Sequence, residues 1–168
     1  KARDESKSKW SDRGYRDFKF GMSIDETYGV GEEVCKFMVP TKDDVLYGGN
    51  ECYKVEGKKR DFYFIYSFTI KGRIYKLSQI MIDFGDSKVS FWNVLEKSLK
   101  KKYKFEFKLN LAQQMKNNMT DMVFFDEGRV ALFNHQMEST GIKYTNEPME
   151  QYLKFKPNTV KKLDSSDL

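Results

Sequence analysis

An alternation of large and small side chains runs through residues 61–84 and predicts two β-strands folded back on each other. The large residues of the first strand share one set of alternate positions: Phe62, Phe64, Tyr66, Phe68 and Ile70. The second strand has Ile74, Ile80 and Ile82 on one parity and Tyr75, Leu77 and Met81 on the other. Gly72 supplies the positive φ that a tight turn at residues 70–73 requires. We therefore expect this hairpin to form the centre of the fold, with its aromatic face buried.

A helix is predicted ahead of the hairpin. Ser23 precedes Glu26 at the spacing of a capping box, in which the hydroxyl accepts from a helix N–H and the glutamate accepts from the serine N–H. The helix should run from there towards Val34. Gly29 and Gly31 each cost about 1 kcal/mol relative to alanine inside a helix, so we expect them to divide it into two short turns.

A second, amphipathic helix is predicted after the hairpin, because apolar residues recur there at steps of three and four. Its apolar stripe consists of Phe91, Val94, Leu95, Leu99 and Tyr103. Ser87 and Ser90 are the candidate N-caps, and the lysines at 100–102 complement the negative end of the helix dipole. We expect this helix to face the aromatic side of the hairpin, which is formed by Phe62, Phe64, Tyr66 and Phe68.

Shorter elements are predicted on both sides of this core. Strands are expected within residues 15–22, 51–55, 105–111, 122–125, 130–133 and 141–144, and a terminal helix within residues 146–156. Residues 126–129 form the turn of a second hairpin, whereas residues 41–50 and 113–118 have the polar composition of loops. We expect a flexible lead-in at residues 1–13 and a tail at residues 157–168.

The order of these elements predicts the fold class. Consecutive strands joined by tight turns form an antiparallel sheet, so the class is α+β, with a curved sheet and helices on one face. Residues 14–156 are expected to form a single domain. Within it, residues 14–86 and 87–156 each contain a helix followed by a meander, so we expect two such units in tandem.

The composition is that of a folded domain with an aromatic interior and a charged surface. Of the 168 residues, 33% are charged and 15% are aromatic, and the mean hydropathy is −0.71. A chain of this length buries roughly two thirds of its unfolded surface and needs no metal in order to fold. The net charge of +5 permits an anionic partner but mainly governs solubility and non-specific attraction. We interpret the basic runs at residues 58–60 and 100–102 as a turn and a helix end.

Residue types that commonly carry catalysis are sparse in this chain. His135 is the only histidine, and the sequence contains no phosphate-binding glycine loop, nucleophile elbow or dinucleotide motif. Cys35 and Cys52 are too few for a zinc site. They are either two unpaired thiols or one disulfide, and the sequence leaves both alternatives open. We expect no cofactor, no metal and no enzymatic activity.

The segment Phe18-Lys19-Phe20-Gly21-Met22-Ser23-Ile24-Asp25-Glu26 resembles the F-x-x-G-M-S-x-D-E opening of small bacterial envelope proteins that are secreted or lipid-anchored. The hairpin and the helix pattern from Leu95 to Tyr103 resemble the same proteins, so the similarity spans residues 17–144. More distantly, the chain is similar to the fold family of the beta-lactamase inhibitory protein and the small outer-membrane assembly lipoproteins. It lacks the paired cysteine bridges of the inhibitor and is longer than the lipoproteins, so no partner identity is carried over.

This resemblance implies a periplasmic or outer-membrane-anchored protein that binds another envelope protein, without catalysis, through its sheet face or loops. Lys1 is not an initiator residue, so we expect that an upstream segment has been removed, either by processing or by the choice of the expressed segment. The resemblance implies that this segment is a signal peptide or a lipid anchor, the latter giving peripheral membrane association. The alternating pattern predicts Tyr63, Arg73, Tyr75 and Lys76 as the binding surface. The alternative function is an electrostatic binder of nucleic acid, anionic lipid or cell-wall polymer. Another envelope protein is the expected partner, and nucleic acid is not.

Overall fold

The computed structural model describes residues 13–40, 46–69, 74–86, 88–116, 119–135, 139–149 and 152–153. Its helices are α1 (Ile24–Val34), α2 (Val89–Lys102) and α3 (Leu111–Lys116). The strands are β1 (Gly14–Tyr15), β2 (Phe18–Lys19), β3 (Phe37–Pro40), β4 (Leu46–Asn50), β5 (Lys54–Val55), β6 (Lys58–Lys59), β7 (Asp61–Thr69), β8 (Ile74–Asp83), β9 (Phe105–Lys108), β10 (Met119–Phe125), β11 (Val130–His135) and β12 (Ser139–Thr145). The predicted α+β class is therefore confirmed.

Eight of these strands form one open antiparallel sheet in the order β3-β4-β7-β8-β12-β11-β10-β9. The remaining strands form two small hairpins, β1–β2 and β5–β6. In each half of the chain, a helix is followed by four strands of the large sheet. The last strands of the two halves, β8 and β12, pair antiparallel at the centre of the sheet. The two meanders thus extend from this central pair towards opposite edges, β3 and β9.

The central hairpin forms as predicted, apart from its turn at residues 70–73, which lies outside the described residues. Phe62 pairs with Ile82 and Phe64 pairs with Ile80, and all four side chains are buried. A β-bulge then places an additional residue, Ser78, in β8 between the partners of Ile65 and Tyr66 on β7. The Ser78 hydroxyl donates to the Ile65 carbonyl at 3.1 Å. The bulge reverses the strand parity, so the predicted separation of Leu77 from Ile80 is wrong.

One face of the sheet carries the main hydrophobic core, to which α2 contributes Trp92, Leu95 and Leu99. The predicted apolar stripe of this helix is rotated: Trp92 is 6% exposed, whereas Val94 is 48% exposed. Phe62 and Phe64 share this core with the helix. Their rings also contact Phe18 of the small N-terminal hairpin, with ring centroids 6.1 Å apart for Phe62 and 4.5 Å apart for Phe64. The prediction of which hairpin face is buried is thus confirmed for Phe62, Phe64 and Tyr66, whereas Phe68 is 48% exposed.

The first helix has the predicted capping box. Glu26 N–H donates to the Ser23 hydroxyl at 3.1 Å, and Ser23 N–H donates to the Glu26 carboxylate at 3.2 Å. The helix continues through Gly29 and Gly31, so the predicted division into two turns is wrong. Gly31 is needed for packing, because a β-carbon there would overlap with the Met38 sulfur. Glycine lowers the stability of a helix relative to alanine, but its lack of a side chain at position 31 allows α1 to lie close to β3.

We expect Ser23→Ala to lower the free energy of unfolding by about 1 kcal/mol, because one helix N–H loses its acceptor. Denaturant unfolding followed by circular dichroism measures this change. Ser98→Ala is the matched control, since the Ser98 hydroxyl only bonds back to the Val94 carbonyl on an exposed helix surface. Equal losses in both variants would show that the capping box does not stabilise α1.

Several short elements differ from their predictions. The segment 41–50, predicted as a polar loop, contains β4, while residues 41–45 lie outside the described part. Residues 113–118 were predicted as a connection, but α3 spans Leu111–Lys116, and Leu111 is therefore helical rather than part of a strand. The predicted strand at 51–55 is reduced to β5 of a small hairpin. The N-cap of α2 is Lys88, so Ser90 lies inside the helix, and Ser87 is outside the described residues.

The opposite face of the sheet carries a second, smaller cluster that includes Phe124, Phe133, Met149 and Tyr152. The Tyr152 ring lies 5.5 Å from the rings of both Phe107 and Phe124. Met149 and Tyr152 therefore cover the β9–β10 side of this face. The predicted lead-in and tail lie outside the described residues, except Arg13. No helix in the described part is both long and apolar enough to cross a membrane.

Candidate functional site

A trough of about 370 Å³ lies on the face of the sheet opposite the main core. Its lining residues come from β7, β8, β11 and β12: Tyr63, Met81, Asp83, Phe133, Ser139, Gly141 and Lys143. Cross-strand pairing brings them together, since Met81 is the partner of both Tyr63 and Lys143. We call this feature the sheet-face trough. It adjoins the part of the face that Met149 and Tyr152 cover, because Phe133 belongs to both.

The shape of the trough depends on a glycine. A β-carbon at Gly141 would lie 2.7 Å from Phe133 Cζ and 3.1 Å from the Ile82 carbonyl oxygen. Contacts this short force neighbouring atoms to move, and the Ile82 oxygen belongs to the backbone of an interior strand. Gly141 therefore allows the Phe133 ring to lie directly across β12.

Lys143 supplies the positive charge of the trough. Its ammonium lies 5.6 Å from the centre of the Phe133 ring, a cation–π contact. Within the described residues, no carboxylate lies at ion-pair distance from it. Burial lowers the pKa of Lys143, because the charged amine is partly removed from water. An anionic group placed beside this amine would restore the lost stabilisation of its charge.

Tyr63 lies on the opposite wall, near two carboxylates. Burial raises the pKa of Tyr63, and the negative charges of Asp83 and Asp61 raise it further. The phenol therefore remains protonated and able to donate at neutral pH. One Asp83 oxygen already accepts from the Gly85 N–H at 2.8 Å. The trough thus combines aromatic and apolar surface with one cation, one carboxylate and a hydrogen-bond donor. Its aromatic and methionine side chains are of the types enriched in protein interfaces.

Of the four residues predicted as a binding surface, the three that the structure describes do not share one face of the sheet. Tyr63 lines the trough, whereas Tyr75 packs against the main core on the other side of the sheet, 5.4 Å from Phe68 between ring centroids. Lys76 is exposed on β8 opposite Ser67, and Arg73 lies outside the described residues. The Ser78 bulge separates the two tyrosines, because it turns Tyr75 to the face that Tyr63 does not share.

Sequence reasoning missed Lys143, Phe133 and Gly141. The signal was the alternation of Ile142 and Tyr144 around Lys143, which places the lysine on the face opposite two buried side chains. Lys143 reaches the trough only because β12 pairs with β8, and local sequence patterns do not specify that pairing.

The two cysteines form a disulfide, Cys35–Cys52, which is one of the two alternatives left open by the sequence. Cys35 is the C-cap residue of α1, and Cys52 lies just before β5. Both are buried. Gly49 makes room for the bridge, since a β-carbon there would lie 2.8 Å from the Cys35 sulfur and 3.0 Å from the Cys52 sulfur. The bridge fixes the end of α1 to the β4 side of the sheet.

Among the residues that the structure describes, no three histidine, cysteine or acidic side chains gather to hold a metal ion. His135 ends β11, and its side chain is outside the described part. The Asp86 carboxylate accepts from the Lys88 N–H at 2.9 Å and serves as a local turn contact. Comparison with family models, curated proteins and solved structures yields no match for this chain.

Proposed function

We propose that this chain is a noncatalytic envelope protein that binds another protein through the sheet-face trough. The observation that carries the proposal is the unequal covering of one sheet face. Met149 and Tyr152 cover the side near β9 and β10, while Tyr63, Met81 and Lys143 leave a concave, largely apolar surface beside them. A contiguous aromatic and apolar depression with a polar rim is typical of a binding site.

The chemistry of the trough defines the partner it would fit. Phe133 and Met81 favour an apolar side chain, and the ammonium of Lys143, which has no carboxylate at ion-pair distance among the described residues, favours an acidic group next to it. Tyr63 supplies a donor at the opposite wall. We therefore propose a protein partner that inserts a protruding segment with one apolar and one acidic side chain. Such anchors, when they fill a desolvated pocket, dominate the affinity of many interfaces.

The proposed envelope location rests on two considerations. A buried disulfide persists in oxidising compartments such as the bacterial periplasm and is rare in the cytosol. The Gly21-Met22-Ser23 entry to α1, with its capping box, agrees with the resemblance to secreted and lipid-anchored envelope proteins. The proposal extends to a removed signal peptide or anchor, which the upstream sequence of the gene would test directly.

Site-specific photocrosslinking tests the proposed surface. A photoreactive phenylalanine analogue at position 63 should crosslink one partner in an envelope extract, whereas the same analogue at position 75 should not, because the two positions lie on opposite faces. The crosslinked protein is identified by mass spectrometry and purified. With that purified partner, Tyr63→Ala combined with Lys143→Gln should weaken binding by about tenfold or more.

The matched control is Tyr75→Ala combined with Lys76→Gln, which makes the same chemical changes on a neighbouring stretch of the same hairpin. Its affinity for the partner should stay within about twofold of the parent. Melting curves of both double variants establish that each is folded at the assay temperature. Crosslinks that are equally strong at positions 63 and 75, or equal loss of affinity in both double variants, would refute binding through the trough.

A further inference from the structure

A second cleft of about 370 Å³ lies between the β1–β2 hairpin and the end of α2. Its lining residues are Arg13, Gly14, Tyr15, Arg16, Lys19, Lys102 and Tyr103. Four of these seven residues are cations, and none of them is acidic. We call this feature the basic cleft. It contains none of the residues of the sheet-face trough, and it includes only one lysine from the basic runs noted in the sequence.

The hairpin holds Arg16 in a fixed position. Arg16 donates to the Lys54 carbonyl at 3.2 Å, and its guanidinium lies 4.8 Å from the centre of the Tyr53 ring. Its φ of 51° is uncommon for a residue with a β-carbon. Gly14, with φ of 113°, lets β1 approach β2, since a β-carbon there would overlap with the Phe18 carbonyl. A preorganised guanidinium loses little freedom when it binds an anion.

The far wall of the cleft is the last turn of α2. Lys100 is occupied by an ion pair with Glu96 at 3.2 Å, whereas Lys102 makes no ion pair with any described residue and lies 5.4 Å from the Tyr103 ring centre. The helix C-terminus carries about half a negative charge, which opposes an anion. In this cleft, burial raises the pKa of Tyr103, and the negative charge of Asp126 raises it further. Four full cations outweigh this carboxylate and the partial charge of the helix. The net field in the cleft therefore attracts anions.

The two tyrosines form the apolar floor. Tyr103 is 2% exposed, and the Tyr15 ring packs 5.3 Å from the ring of Tyr144. Burial raises the pKa of both Tyr15 and Tyr103, so both phenols stay neutral and add no negative charge to the cleft at neutral pH. The cleft thus offers cations around an aromatic surface, within the volume range of small-molecule sites.

We propose that the basic cleft binds a phosphate ester. The guanidinium forks of Arg13 and Arg16 match the geometry of phosphate oxygens, and Lys19 and Lys102 add point charges from two different elements. The cleft has room for one phosphorylated group, in contrast to the long groove that a polymer requires. Either a soluble phosphorylated metabolite or a phospholipid headgroup presents this group.

Glycerol 3-phosphate and phospholipid vesicles are the probes. Titration of the isotope-labelled 168-residue chain with glycerol 3-phosphate at low salt should shift the amide signals of Tyr15, Arg16 and Tyr103, and added salt should weaken binding. Sodium sulfate should cause smaller shifts. Flotation with phosphatidylglycerol vesicles, compared with phosphatidylcholine vesicles, distinguishes a headgroup from a soluble ligand. Shifts with the soluble probe alone indicate a metabolite, and selective flotation indicates a lipid. Either result supports binding of a phosphate ester in the basic cleft.

Lys19→Gln combined with Lys102→Gln should weaken binding of the probe by about tenfold, because two of four cations are lost. This pair leaves the Arg16 contacts with Lys54 and Tyr53 intact. Lys58→Gln combined with Lys101→Gln removes the same charge from exposed positions outside the cleft and should change affinity by less than about twofold. Absence of binding to both probes, equal shifts with sulfate, or equal loss in the two double variants would overturn the proposal. The Tyr63 and Lys143 variant should bind the probe normally, so this result is independent of the partner-binding test.

Discussion

Replacing Phe64 with alanine is expected to lower the free energy of unfolding by about 3–5 kcal/mol. The Phe64 side chain is 0% exposed, and its ring lies 4.5 Å from the ring of Phe18 and 6.3 Å from that of Phe62. Its backbone partner is Ile80 in the interior strand β8, so the surrounding sheet has little freedom to close the cavity. Urea unfolding followed by circular dichroism measures the loss, with an unchanged slope confirming a simple stability effect.

Phe68→Ala is the matched control for this prediction. It makes the same chemical change four positions later on β7, but the Phe68 ring is 48% exposed and contacts Tyr75 near the end of the hairpin. We expect a loss of about 1 kcal/mol or less. Similar losses for the two variants would contradict the assignment of the buried face. A loss below about 0.5 kcal/mol for Phe64→Ala would do so as well.

The central hairpin was predictable from sequence because only one of its faces is densely packed with aromatic side chains. Burial of Phe62, Phe64 and Tyr66 produces the period of two that a strand with one buried face shows. The strand β4 lacked this signal, because it carries Gly48 and Gly49. Close packing explains one of these glycines, since Gly49 accommodates the two disulfide sulfurs. Because the disulfide needs a glycine at position 49, β4 lacks the alternation of large and small side chains that identifies a strand.

The helix α2 was predicted, but its buried side was misplaced. Leu95 and Leu99 fit a stripe with either Trp92 or Val94, and the sequence offers both. The structure buries Trp92, whose indole N–H donates to the Glu96 carboxylate at 3.2 Å. Glu96 also pairs with Lys108 of β9 at 3.3 Å. The observed rotation buries Trp92 in the main core and brings Glu96 beside a distant strand, a tertiary arrangement that no local pattern contains.

The candidate site was less predictable than the fold. One bulged residue, Ser78, moves Tyr75 to the opposite face from Tyr63, and strand alternation alone gives no warning of such a bulge. The trough also requires β12 to lie beside β8, a pairing between the two halves of the chain. Lys143 and Tyr63 therefore become neighbours of Met81 only through long-range register. Sequence patterns identified one wall of the site and missed the other.

Strand β12 links the two proposed binding surfaces. Its residue Lys143 enters the sheet-face trough, while the adjacent Tyr144 packs under Tyr15 at the floor of the basic cleft. Consecutive side chains of a strand point to opposite faces, so each surface has its own set of residues. The protein partner and the phosphate ester would therefore occupy opposite sides of the same sheet, without competing for contacts.

Reduction of the Cys35–Cys52 disulfide is expected to lower the free energy of unfolding by about 3 kcal/mol. The bridge closes a loop with a sequence separation of 17, which restricts the unfolded chain. It also joins the C-cap of α1 to the segment before β5, so reduction should release the end of the helix first. Guanidinium unfolding with and without a thiol reductant measures the difference.

The variant with Cys35→Ala and Cys52→Ala is the control, because its stability should not depend on the reductant and should approach that of the reduced parent. If reduction lowers the free energy of unfolding of the parent by less than the two substitutions do, the difference comes from lost packing of the buried sulfurs near Gly49. Two free thiols in the air-oxidised protein, detected by mass spectrometry after alkylation, would refute the bridge. They would also remove the main support for an oxidising compartment. A reductant-dependent loss of the expected size would mean that the protein keeps this part of its stability only outside the reducing cytosol.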